Sequence, residues 1–72
     1  SVPSNIAEGA AYHSAKDFNR FLSMARGSLA EMETQLMLSI NIGIAHPERV
    51  SPLLKEISEL VKMISGLQRS LR

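Results

Sequence analysis

Few residues in this chain could do chemistry. The two histidines, His13 and His46, are the natural candidates for proton transfer or metal ligation near neutral pH. Both fall where helices are expected to begin or end, a position that suits capping. His46 stands directly before Pro47, which is favoured at the first position of a helix. The Glu-x-x-His signature of carboxylate-bridged metal bundles is absent. Glu31 and Glu33 are two apart and point to different sides of a helix, so they do not form a carboxylate pair for acid–base work. No serine lies in a Gly-x-Ser-x-Gly context. Cys is absent, which removes thiolate metal sites and disulfides. These patterns point away from an enzyme and imply no metal and no cofactor.

Two groups of polar residues remain. Ser28, Glu31 and Gln35 follow each other at three and four residues, along the flank of an apolar stripe. They read first as a buried polar edge bonded to a neighbouring helix, and second as a site for a ligand or partner. Lys55, Lys62 and Arg69 recur every seven residues and share one side of a helix. Segment 62–72 carries Lys62, Arg69 and Arg72 with no acid. Together with Lys16 and Arg20 these side chains are the candidate contacts to RNA or DNA phosphates. The competing account is a solvated outer face, since Glu56 and Glu59 lie close by.

Two long helices must position these groups. Phe18, Phe21, Leu22, Ala25, Leu29, Met32, Leu36 and Ile40 recur at helical spacing. Ser14 with Asp17 three residues on suits an N-cap, and Gly43 suits a left-handed C-cap, so the first long helix is expected over about 15–42. In the second, Val50, Ile57, Ile64 and Leu71 alternate with Leu53, Leu60 and Leu67, an a/d heptad pattern. Pro52 inside this segment predicts a turn from Pro47 and regular helix over about 51–71. Residues 1–12 form a third, less regular segment, in which Asn5 and Glu8 have capping-box spacing. Phe18, Leu22, Leu29, Met32 and Leu36 are expected to pack against Ile57, Leu60, Ile64 and Leu67. Gly27-Ser28 reads as a point of close helix packing.

Composition bounds the rest. The 72 residues weigh 7.9 kDa, enough for one small domain, and 44% are hydrophobic, too apolar for a disordered chain. Aromatics are 4% with no Trp, which argues against base-stacking platforms. No apolar run reaches the length needed to span a bilayer, so no membrane association and a cytoplasmic location are expected. A chain this short, without disulfides or metal, rarely builds a sufficient core alone. The first long helix is also apolar over a wide arc, which calls for several neighbouring helices or self-association.

The local words of the sequence also match a family. Ser1-Val2-Pro3-Ser4-Asn5-Ile6-Ala7-Glu8-Gly9 resembles the hallmark segment of the four-helix-bundle proteins of bacterial 23S rRNA intervening sequences. Ser14-x-Lys16-Asp17-Phe18-x-Arg20-Phe21-Leu22 and Gly27-Ser28-Leu29-Ala30-Glu31-x-x-x-Gln35-Leu36 follow in the family's order. Glu56-Ile57-Ser58-Glu59-Leu60-Val61-Lys62-Met63-Ile64-x-Gly66-Leu67 is similar to its last helix. The resemblance implies an all-α, up-down four-helix bundle assembled as a homopentamer. It also implies that this chain lacks the first helix and part of the second. Residues 1–12 would then end the second helix, with Pro3 inside it and Asn5 and Glu8 facing helical neighbours. The family includes the accessory variability determinant of diversity-generating retroelements, which binds a reverse transcriptase and nucleic acid. That likeness implies a reverse-transcriptase-type protein as one partner and RNA or DNA as another. Where many relatives carry basic residues after Gly9, this chain has Ala10-Ala11-Tyr12-His13, a departure that lowers the support for nucleic acid. The alternative function is a protein-interaction scaffold that binds no nucleic acid.

Overall fold

A computed structural model describes the backbone of residues 2–71 and the side chains of residues 9 and 11–71. The chain is all-α. Among the described residues there are two helices, α1 (Val2–Asn41) and α2 (Pro47–Ser70), and no strand. They form an antiparallel hairpin, half the number of helices in the expected bundle.

The expected break near residue 13 is absent, and α1 runs without interruption through Ser14. Ser14 is therefore an exposed mid-helix residue and not an N-cap. The reason is local: no proline lies between Pro3 and Pro47, and the glycine nearest the expected break, Gly9, costs only about 1 kcal/mol inside a helix. Pro3 sits in the first turn, where no N–H partner is lost.

Gly43 ends α1 as the spacing predicts. Its φ of +80° is left-handed, its N–H donates to the Ile40 carbonyl at 3.0 Å, and the Ile44 N–H donates to the Ser39 carbonyl at 2.9 Å. This pair of bonds is a Schellman motif, which satisfies the last carbonyls of α1.

The start of α2 differs from expectation. The helix begins at Pro47 and continues through Pro52. His46 is the N-cap residue through its extended backbone (φ −81°, ψ 134°) but makes no side-chain cap. Pro52 removes the partner of the Glu48 carbonyl, in a turn where Glu48, Ser51 and Pro52 are all exposed and water can replace it. Val50, only 3% exposed, anchors that turn against α1.

The core is thin. Leu22, Val50 and Ile57 are the buried hydrophobic side chains among the described residues, at 6%, 3% and 4% exposure. Leu29, Leu36, Ile40, Leu54, Val61 and Ile64 are half-buried around them. The seam of α2 thus runs through Val50, Leu54, Ile57, Val61, Ile64, Gln68 and Leu71, alternating by four and three. It does not use the expected partner set: Leu53, Leu60 and Leu67 are 45%, 45% and 46% exposed. Phe18 and Met32, expected in the same interface, are exposed as well. The cause is geometric. The apolar arc of α2 is wider than one neighbouring helix can cover, and α1 takes the side away from those leucines.

Candidate functional site

Lys16, Arg20, Lys55, Lys62 and Arg69 are all exposed; Arg72 lies outside the described residues. Successive members of the Lys55–Lys62–Arg69 series stand two helical turns apart, about 10 Å along α2. Arg69 lies in the last turn and Glu48 in the first, so both complement the helix dipole. Arg20 is less available: its Nη2 donates to Asp17 Oδ1 at 3.4 Å, the only salt bridge among the described residues. Asp17 is four residues on from His13, but its structural partner is this arginine.

The structure adds residues that the spacing did not single out. Where the end of α2 meets the middle of α1, a cleft is lined by Tyr12, Ala15, Lys16, Asn19, Arg26, Gln68 and Leu71. Gln68 Nε2 donates to Ser23 Oγ at 2.8 Å and to the Asn19 carbonyl at 3.3 Å. Arg26 Nη1 donates to Ser65 Oγ at 3.4 Å. The signal for Gln68 was present: it continues the Leu54–Val61 series by seven, so its amide stands in the seam. Lys16 and Arg26 bring two positive charges to this cleft, on the polar side of the hairpin. The Tyr12 and His13 rings meet edge-on at 6.0 Å.

The side-by-side arrangement of Ser28, Glu31 and Gln35 survives, but their burial does not. All three are exposed, because α2 packs along the Leu22–Leu29–Leu36 side of α1 instead. Ser28 Oγ donates within its own helix, to the Met24 carbonyl at 3.2 Å. Glu31 and Gln35 line a shallow depression with Ala30 and Thr34. A Cβ built on Gly27 meets nothing within 4 Å, so close packing at Gly27-Ser28 is not found in the hairpin. Asn5 and Glu8 lie in the first turns of α1, and their side chains are outside the described set.

A second feature was not anticipated as a site. Leu29, Met32 and Leu36 of α1 face Leu53, Ile57 and Leu60 of α2 across an open apolar groove, with Gln35, Ser39 and Glu56 also lining it. Among the described residues no group of His, Asp and Glu side chains is placed to hold a metal ion, and no helix is long and apolar enough to cross a membrane.

The hairpin therefore offers two chemically distinct surfaces, one polar and carrying Lys16 and Arg26, the other apolar. No curated protein and no solved structure matches the chain. The family model described as 23S rRNA-intervening sequence protein matches residues 1–66, and the chain belongs to that family.

Proposed function

We propose that this chain is a non-enzymatic, self-assembling helical protein that contacts RNA or DNA through a basic surface. The observation that carries this reading is the separation of charge from apolar surface on α2. Leu53, Leu60 and Leu67 are each followed two residues later by Lys55, Lys62 and Arg69. Side chains two apart point to roughly opposite sides of a helix. The apolar stripe is thus free to associate while the basic stripe stays in water. Lys16, and Arg26 beside the α2 end, extend the positive surface.

Titrating a long mixed-sequence RNA at two salt concentrations tests the nucleic-acid part. Phosphate contacts give an affinity that falls steeply with salt, with a log–log slope near −0.7 per contact for single strands. Absence of binding at low salt removes this part of the reading. A protein scaffold is the second reading, and the net charge of only +1 favours it. A scaffold self-assembles but binds no RNA at either salt concentration.

A further inference from the structure

The polar cleft at the end of α2 is built of cations, amides and one aromatic ring. Tyr12, Lys16 and Asn19 stand about one turn apart along α1, and Arg26 and Gln68 close the cleft beside them. Its volume is about 360 Å³, at the small end of the roughly 300–1,000 Å³ of small-ligand sites. Among the described residues no acidic side chain lines it. Bonds between the helices fix its wall: Arg26 Nη1 donates to Ser65 Oγ at 3.4 Å, and the Gln68 amide donates to Ser23 Oγ and the Asn19 carbonyl. A further helix packed over this face would bury the Lys16 and Arg26 charges, so the cleft is not an unfilled part of a helical core.

Tyr12 is 64% exposed, and its edge-on contact with His13 covers at most one face of the ring. The other face is open to a stacked base. Lys16 stands one turn away, about 5–6 Å between Cβ atoms, where the phosphate of the same nucleotide falls. The Asn19 carboxamide offers both a donor and an acceptor to a base edge. We infer that this cleft is a nucleotide site: it takes one nucleotide unit, with the base against Tyr12 and the phosphate at Lys16. A single ring is no platform for a long strand, in keeping with the scarcity of aromatics, but it suffices for one unit. The unit is either a free nucleotide or an exposed nucleotide of a single strand. The second source rests on the nucleic-acid reading above, and the first does not. In a strand the next phosphates run along α1 towards Arg26, ten residues and about 15 Å beyond Lys16.

The chain has one tyrosine and no tryptophan, so the NMR signals of the Tyr12 ring protons report on this cleft alone. Adenosine 5′-monophosphate should move these signals to saturation, with a dissociation constant on the order of millimolar. Adenosine, which lacks the phosphate, should bind more weakly. A tetra-adenylate that binds at least about tenfold tighter than the mononucleotide, by an advantage that Arg26→Gln removes, identifies a strand as the source. A smaller gain identifies the free nucleotide. Tyr12 signals that move with neither ligand overturn the site. Inorganic phosphate or a hexaglutamate peptide that moves them as strongly also overturns it, because the cleft then selects charge and not a base.

Tyr12→Leu and Lys16→Gln separate the two halves of the site, with binding read from the adenine protons of the ligand. Both side chains are exposed, so the hairpin keeps its fold. Lys16→Gln should weaken the mononucleotide about threefold and flatten its salt dependence, while leaving adenosine unchanged. Tyr12→Leu should weaken both ligands at least about fivefold. Unchanged affinities in both variants overturn the site. Long RNA that binds with a steep salt dependence while Tyr12 stays silent removes the cleft and leaves the basic surface standing. Mononucleotide binding without RNA binding removes the nucleic-acid reading and leaves the cleft.

Discussion

Gln68 Nε2 donates to Ser23 Oγ at 2.8 Å and ties the last turn of α2 to the middle of α1. It is the shortest side-chain bond between the two helices among the described residues. The same amide proton donor group reaches the Asn19 carbonyl, so one side chain spans two residues of α1 on one face. A leucine or valine would be the obvious occupant of this seam position. The amide there makes the end of the hairpin a specific junction and not only an apolar contact.

Gln68→Ala is expected to lower stability by about 1 kcal/mol, the net worth of a partly exposed hydrogen bond. Ser23→Ala alone should cost less, since the Gln68 amide keeps its bond to the Asn19 carbonyl. A urea-melt double-mutant cycle checks the pair. A coupling energy indistinguishable from zero would show that the bond contributes nothing.

Gly43→Ala should destabilise by about 1 kcal/mol, while Gly43→Asn is tolerated better. A Cβ at Gly43 meets no atom within 4 Å, so the whole effect is backbone strain at φ +80°. Gly27→Ala tests the opposite case. The site is helical and open, so alanine should stabilise the hairpin by up to about 1 kcal/mol. Thermal melts of both variants decide, and a stabilised Gly43→Ala would contradict the Schellman geometry.

The seam of α2 separates what was legible from what was not. The residues Val50, Ile57 and Ile64 were readable as inner positions, because any packing of an amphipathic helix must bury the centre of its apolar arc. Which flank of the arc was covered was not readable. Leu53 and Leu54 are adjacent in sequence, and only the presence of a single neighbour decides that Leu54 is half-buried and Leu53 exposed. Gly43 was legible since its conformation is a local steric matter. Ser14 was not, since cap spacing also occurs inside continuous helices. At the candidate site the Lys55–Lys62–Arg69 series followed from periodicity alone. Arg26 and Gln68 emerged only once α2 had been placed beside α1.

Ile57→Ala should cost about 2–5 kcal/mol, as expected for a cavity in a packed seam. Leu29→Ala and Ile64→Ala should cost less, because both residues are half-buried and water can fill part of the space. Leu53→Ala offers a contrast: Leu53 is 45% exposed, so its truncation should cost the least of the four. Chemical denaturation measures all four. An Ile57→Ala variant as stable as the parent would refute the seam.

The Lys55→Gln, Lys62→Gln, Arg69→Gln variant tests the basic stripe. All three side chains are exposed and none makes a salt bridge among the described residues, so the fold should survive. Glutamine has nearly the helix propensity of lysine and arginine, which keeps α2 itself unchanged. Arg69 is the exception in one respect. It sits in the last turn of α2, and losing its charge there should cost a few tenths of a kcal/mol through the helix dipole. That loss is too small to unfold the hairpin and is visible in a melt. Affinity for long RNA should drop, and the magnitude of the log–log salt slope should decrease by about 0.7–0.9 for each phosphate contact removed per assembly. A parallel Lys16→Gln, Arg26→Gln variant asks whether the cleft beside Gln68 contributes. Arg26 also holds Ser65, so its readout is the salt slope and not affinity alone. If the triple variant stays folded with unchanged affinity and slope, the stripe is only a solvated face and the scaffold reading takes its place.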